Sequence, residues 1–484
     1  MTATQPKPKS RTVDPTEGPI LSKLIRFVLP LMATNLLQTF YNAADMMVVS
    51  LSSEANAVGA IGITGAYVSL IVNLFMGFSV GANVLLARHL GAKDHNNASK
   101  TVHTSIIMSL IVGVIGMVIG LFVSRPILAL MGAQGNLLDL ATTYTKIYFL
   151  GVPFLSATNY LAAIFRAKGD TKTPLCVLSA SGLINVLLNL FFVLVCGWSV
   201  EGVSTATAIS NLLAAIALIR LLSRDNGPCR FSLSKCRIDR RALAGMIREG
   251  LPAGIQSAVF SISNMLITSS IIQLNNAVVT EGSTFDPIVT GNSAAANIGN
   301  FIYTAVNSVY QAAITFISQN VGAKKYDRIG RIILVVILSG MTIGACGSII
   351  SITFRDFLLG LYGVRAAAEG TLERIAYETA LKRIFIVLSA YSIIAIQETG
   401  GGVVRGLGGA TLSTVTSLFG GCVFRVVWIT FIFNAFPTLE VVYMSYPISW
   451  FMTGMAHIIC SCIILKKLKR SEEKLSNDSS TSKA

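Results

Sequence analysis

Charge is what this sequence has least of. Only 13% of its 484 residues are Asp, Glu, Lys or Arg, while 53% are hydrophobic. Soluble domains carry about 25% charged residues, so an ordinary water-soluble globule is excluded. Histidine is scarce as well. The four present (His89, His95, His103, His457) are scattered and form no catalytic or metal-binding pattern. The eight cysteines lie mostly in apolar runs. Neither the Cys460–Cys462 pair nor the gap from Cys229 to Cys236 has a metal-ligand or redox spacing. They read as small core residues and reduced thiols. No GxxxxGK[ST] loop is found, which argues against direct drive by ATP. The first residues, MTATQPKPKSRTVDPTEGP, lack the apolar run of a cleaved signal and read as a retained cytoplasmic tail.

What the chain does have is apolar stretches. Twelve begin near residues 24, 58, 101, 138, 173, 202, 246, 289, 329, 381, 411 and 441. Each is long enough for the roughly 20 residues that a membrane-crossing helix needs. Many contain Gly or Pro, which membrane helices tolerate.

The basic residues alternate with these stretches. Thirty of the 38 fall in alternate segments: both tails, the connections near 88–100, 166–172 and 324–331, Arg405, and a central segment, 220–248, with eight of them. The opposite connections, CGWSVEG and NNAVVTEGSTFDP, have no base. Basic residues stay on the cytoplasmic side, so both termini are expected there. The net charge of +15 is then a topology signal, and a nucleic-acid partner is not expected.

The sequence also repeats. Leu29-Pro30 returns as Leu251-Pro252, RHLGAK (88–93) as QNVGAK (319–324), ILALMGA (127–133) as LLGLYGV (358–364), and RAKGDT (166–171) as RGLGGA (405–410). The offset grows from 222 to 231 to 239, and the added residues fall in the expected outer loops 275–288 and 364–376. Six stretches per half is an even number, so both halves enter the membrane in one orientation. The expected fold is all-α: twelve transmembrane helices in two six-helix lobes, related by a pseudo-twofold axis along the membrane normal. The expected division is a tail (1–23), an N-terminal lobe (24–223), an inter-lobe loop (224–245), a C-terminal lobe (246–466) and a charged, Ser-rich tail (467–484) whose composition favours disorder. Two bundles that rock about a central cavity are the architecture of a secondary transporter.

One acid stands out. In FYNAADMMVVS, Asp45 has no base nearer than Arg26 or Arg88. Asn35, Gln38, Asn42 and Asp45 are spaced by three, four and three residues, on one helical face. A carboxylate facing lipid at mid-membrane costs about 2.5–3.5 kcal/mol or more, so this stripe should face the bundle interior or water. Intramembrane acids are functional candidates by default; the alternative is a neutral acid bonded to Asn42. Asn185 and Asn189 share a face in LINVLLNLFF, and Thr207 lies in the next stretch. Asn159 in the fourth stretch is a further polar candidate. In the second half Ile267 takes the place of Asp45, leaving an uncharged stripe of Ser257, Ser261, Asn264 and Thr268. Glu398 in AIQETGGG is the only acid in the tenth stretch. Lys146 and Arg425 are the remaining intramembrane charges, either snorkelling to the interface or lining a cavity.

Taken in order, the Pro30–Asp45 segment, LLARHLGAK, FRAKGDTKTP, GWSVEGVSTATAIS, EGLPAGIQ and VVRGLGGAT resemble the multidrug and toxic compound extrusion (MATE) family. The resemblance covers roughly 18–465. It implies two six-helix lobes around a V-shaped cavity, and export of amphipathic, often cationic compounds in exchange for protons or sodium ions. One subgroup binds its cation through a first-helix Asp, an Asn and an Asp four apart in the fifth helix, and a sixth-helix Thr. Asp45, Asn185 and Thr207 match those types; position 189 departs, with Asn in place of the second acid. That removes one titratable site and leaves amide carbonyls able to ligate sodium at Asp45, Asn185 and Asn189.

The function expected is cation/drug antiport in the inner membrane, by a monomer, with no cofactor beyond the coupling ion. The alternative is a lipid-linked oligosaccharide or lipid II flippase of the same superfamily. Twelve spans rather than fourteen count against the lipid II type, as does a cavity with only Lys146 and Arg425 as candidate bases. A membrane enzyme would need a clustered His/Asp/Glu or Ser/His site, and the sequence offers none.

Overall fold

The computed structural model describes residues 12–52, 54, 57–131, 133–279 and 285–481. The expected tail up to residue 11, the tip of the outer loop at 280–284 and residues 482–484 lie outside them. The N-terminal half consists of α1 (Ile20–Val49), α2 (Ala57–Gly91), α3 (His95–Leu130), α4 (Gly135–Ala167), α5 (Lys172–Leu190) and α6 (Val200–Ser223). The C-terminal half follows with α7 (Arg240–Asn276), α8 (Pro287–Gly322), α9 (Tyr326–Thr353), a short α10 (Arg355–Gly360), α11 (Leu372–Ile386), α12 (Tyr391–Gly406), α13 (Ala410–Ser417), α14 (Phe424–Val427) and α15 (Leu439–Thr481). Helices α11 and α12 form one span; α13 and α14, joined by one wide π-turn and followed by another, form the next. No strand occurs among the described residues.

Eleven of the twelve expected spans are long and apolar enough to cross a membrane. The twelfth, α8, has 36 residues and no charge, but it is rich in Asn, Ser and Thr. Those polar groups are protected, because α8 packs against α1, α2, α9, α11 and α12. All twelve spans start earlier than their apolar stretches, because a first turn in the interface tolerates polar residues. The shift is largest for the tenth, which opens with the amphipathic LERIAYETA at Leu372. The C-terminal tail, expected to be unstructured, continues as helix to Thr481. It contains no Gly or Pro to stop it, and Lys469 Nζ ties it to Asp327 at 2.6 Å.

The helices turn small residues inward and large ones outward. In α3, Thr101, Ser105, Gly113 and Gly120 are buried, while Ile111, Ile115 and Phe122 are exposed. This is the pattern of helices that pack closely and offer their bulk to lipid.

The internal repeat holds at atomic detail. Lys93 and Lys324, 231 residues apart, are the only non-glycine residues with positive φ among those described, both at 57°. Each follows a helix whose last turn closes in the same way: Asp94 N to His89 O at 2.9 Å, and Lys325 N to Asn320 O at 2.9 Å. Gly169 and Gly408, 239 apart, match likewise at φ 89° and 97°, with Asp170 N to Phe165 O and Gly409 N to Val404 O, each 2.9 Å. These are Schellman endings, in which a left-handed residue lets the last carbonyls be capped.

Both described ends lie on the face that carries these turns. Val13 N bonds Gly169 O at 2.9 Å, Arg328 reaches the carbonyls of Glu17 and Gly18, and Lys469 pairs with Asp327. On this basic face the two lobes are sealed together. Arg88 Nη1 pairs with Glu249 at 3.1 Å, and Gln319 Nε2 bonds Ala167 O at 2.6 Å. A Cβ on Gly91 would stand 1.9 Å from Gln319 O, and one on Gly322 would stand 2.0 Å from Arg88 O. Only glycine permits so close a crossing.

Candidate ion-coupling site and central cavity

Residue spacing alone places Asn185 and Asn189 on one face of α5, and the tertiary fold turns that face toward α1 and α6. Asn189 Nδ2 donates to Asp45 Oδ1 at 2.5 Å and to Asn185 Oδ1 at 3.3 Å. Asn185 Nδ2 donates to Thr207 Oγ1 at 3.3 Å, and Thr207 in turn bonds its own helix at Val203 O. Four of the expected residues therefore form one continuous chain across three helices. Asn189 is fully buried, and its Oδ1 has no hydrogen-bond partner. Asp45 is half-buried, in no ion pair, and its amide partner is Asn189 rather than Asn42. On α4, the rings of Tyr144 and Tyr148 stack at 6.0 Å.

An orphaned buried oxygen is costly, at about 1–3 kcal/mol. Here it adds a fourth oxygen-bearing side chain to those of Asp45, Asn185 and Thr207. Such an all-oxygen set suits a hard cation, and the one carboxylate matches one positive charge.

The other expected residues lie elsewhere. Gln38 and Asn42 point into a central cavity of about 920 Å³ between the lobes, as does Asn35. Asn159 also faces this cavity rather than the Asp45 cluster, and its amide bonds Leu155 O on its own helix at 2.8 Å. In the second half the stripe of Ser257, Ser261 and Asn264 lines the opposite wall. Glu398 lines it too, near Tyr303, Gln397 and Arg405. Lys146 is exposed and does not line the cavity, whereas Arg425 does.

The expectation of a cavity almost free of bases is corrected by the structure. Arg166, Arg383 and Arg405 line it together with Arg425, against the single carboxylate of Glu398. Sequence reasoning assigned Arg166 and Arg405 to loops. The helices run on through Ala167 and Gly406, so both side chains leave from helical turns and line the cavity. Their equivalence under the repeat was the signal available. Arg383 follows a polar, amphipathic turn and gave no comparable sign. These arginines also remove one of the two arguments against a flippase; the span count stands.

Comparison with known proteins gives the family and the fold. The model of the MatE family matches residues 30–191 and 252–431. The chain belongs to the MatE family. The two matched segments correspond to the two repeats. Among curated relatives, a probable multidrug resistance protein, YoeA, of Bacillus subtilis (strain 168) is 25% identical over 436 residues, covering 87% of this chain and 89% of that protein. The multidrug export protein MepA of Staphylococcus aureus (strain NCTC 8325 / PS 47) is 22% identical over 454 residues, covering 93% and 96%. The solved structure of a multidrug resistance MATE family transporter in an outward-facing conformation superposes with a TM-score of 0.85 at 20% identity. It covers 96% of this chain and all of that one. At that identity the likeness speaks for the MatE fold.

Proposed function

We propose that this chain is a secondary exporter of small amphipathic compounds, driven by inward flow of a monovalent cation. The observation that carries the reading is the Asp45–Asn189–Asn185–Thr207 chain with its unpartnered buried oxygen. It stands one helical turn from Asn42, which lines the central cavity. Cation binding at Asp45 pulls on α1, α5 and α6 together, and α1 also forms part of the cavity wall. That couples ion occupancy to the shape of the substrate site, as linkage between two sites requires. The related exporters are named for multidrug resistance and export, in keeping with a wide, amide-lined cavity. In this reading the sealed face, rich in basic residues, is the cytoplasmic one, and the cavity opens outward.

Sodium and the proton both fit a single carboxylate with neighbouring amides. Purified protein in proteoliposomes, given a sodium gradient or a proton gradient separately, distinguishes them. Asp45→Asn keeps shape and hydrogen bonding but removes the charge. It should fold normally and lose gradient-driven export by at least tenfold. Wild-type export from Asp45→Asn at all pH values would remove Asp45 from the mechanism. Export that persists with both gradients dissipated and ATP present would refute the antiport reading.

A further inference from the structure

The cavity wall contributed by the C-terminal half carries positive charge that no ion pair among the described residues neutralises. Arg425 sits on the single α-helical turn Phe424–Val427 between two wide π-turns, Leu418–Val423 and Trp428–Phe433. Such turns recur at functional sites because they re-aim side chains. Arg425 is 4% exposed, and its Nε donates to Ser449 Oγ at 3.1 Å. Its guanidinium carbon stands 4.5 Å from the centre of the Tyr446 ring. Arg383 reaches the same ring at 5.4 Å and Tyr443 at 5.6 Å, and its Nη1 donates to Asn292 Oδ1 at 2.6 Å. Its Nε is buried without a partner.

Two guanidinium groups therefore share one tyrosine. Every ion pair among the described residues involves other side chains. Each guanidinium has five donors in a planar fork; Arg425 gives one to Ser449, and Arg383 meets Asn292 and the tyrosine hydroxyls, all of them neutral partners. Two buried like charges side by side are costly unless an anion joins them. The tyrosines soften the cost by cation–π attraction but carry no compensating charge. Arg405 behaves differently: Glu398 faces it, and Gln256 and Thr414 take its Nη2.

We propose that the C-terminal wall of the cavity is an anion site. The substrate is an amphipathic organic anion whose carboxylate, sulfonate or phosphate lies between Arg383 and Arg425. Its aromatic or aliphatic body lies along Tyr446, Trp450 and Tyr391. The guanidinium fork matches such oxyanions bidentately. The assignment of this anion as cargo rests on the exporter reading above, and it replaces the cationic substrate that the family resemblance implies. Export of an anion against entry of a cation moves charge in one direction, so an inside-negative potential accelerates it.

The test uses two dyes with one xanthene core, anionic carboxyfluorescein and cationic rhodamine 6G. Their binding to the full-length protein in lipid nanodiscs is read by fluorescence anisotropy. Wild type should bind carboxyfluorescein at least tenfold more tightly than rhodamine 6G. Arg383→Gln and Arg425→Gln should each weaken carboxyfluorescein at least tenfold and leave rhodamine 6G unchanged or tighter. Arg383→Lys and Arg425→Lys, which keep the charge, should recover part of the loss. Preference of the wild type for rhodamine 6G overturns the proposal whatever the variants do, including a variant that fails to fold. Equal carboxyfluorescein binding by folded Arg→Gln variants overturns it as well. The two readings fail separately in proteoliposomes. Gradient-driven export of rhodamine 6G without carboxyfluorescein binding sinks the anion site alone. Carboxyfluorescein bound, but neither dye exported under either gradient, sinks the exporter alone.

Discussion

Replacing Gly91 by Ala should unlock the seal between the lobes. The substitution adds one methyl group at the end of α2, where a Cβ would lie 1.9 Å from Gln319 O and 2.8 Å from its Cα. Ordinary carbon–oxygen contact begins near 3.4 Å, so the two backbones must part by about 1.5 Å. Both partners are main chain in helices, and neither can swing aside. Parting them also strains the Arg88–Glu249 pair and the Gln319–Ala167 bond beside it. Overpacking of this kind costs about 1–3 kcal/mol. Alanine favours the helix itself by about 0.5–1 kcal/mol, but it does so in every state of the transporter. The clash exists only while the basic face is sealed. The sealed state should therefore lose about 1–3 kcal/mol against its alternatives, a population shift of roughly 5- to 150-fold. Gly322→Ala, at the repeat-equivalent position, should act alike. The double variant should not double the effect, since one separation relieves both contacts. The assay is labelling of a single cysteine at position 83, on a background without the eight native cysteines, by an impermeant maleimide applied from the basic face. Asn83 is buried beside Thr315 at 3.2 Å, behind the seal. Labelling should speed up in Gly91→Ala and stay unchanged in Gly65→Ala, where an added methyl meets nothing within 4 Å. Unchanged labelling in Gly91→Ala would refute the claim that this crossing holds the seal.

Two further outcomes separate packing from gating. Gly120→Ala drives a Cβ to 2.0 Å from the fully buried ring of Phe149 within the N-terminal half. It should lower the thermal unfolding midpoint, at a cost of about 1–3 kcal/mol, without changing accessibility at position 83. Asp94 caps α3 by accepting from Asn97 N at 3.1 Å, and that backbone N–H holds its carboxyl below the usual range. A depressed pKa contributes stability above the unfolded value and loses it as pH falls. Asp94→Ala should therefore melt earlier than wild type at neutral pH, and the gap should shrink below about pH 4; a gap constant with pH would contradict this.

Much of the protein was fixed along the chain itself. Scarce charge, twelve apolar stretches and alternating basic segments determine an all-helical membrane fold, because lipid forces every backbone group to be satisfied within its own helix. The repeat offsets determined the two lobes and the paired turns at Lys93 and Lys324. The spacing of Asn185 and Asn189 put both on one face, since helical periodicity is a local property. Tertiary structure decided the rest. Whether Asp45 meets Asn189 depends on how α5 rotates against α1, which no local pattern encodes. Asn159 has the composition of a site residue, yet the register of α4 sends it to the cavity instead. The extent of α4 and α12 decided that Arg166 and Arg405 face inward, and the wide turns around Phe424–Val427 aimed Arg425 at Tyr446. A sequence states which charges exist; only the packing of helices decides which of them share a cavity, because that depends on contacts between residues far apart in the chain.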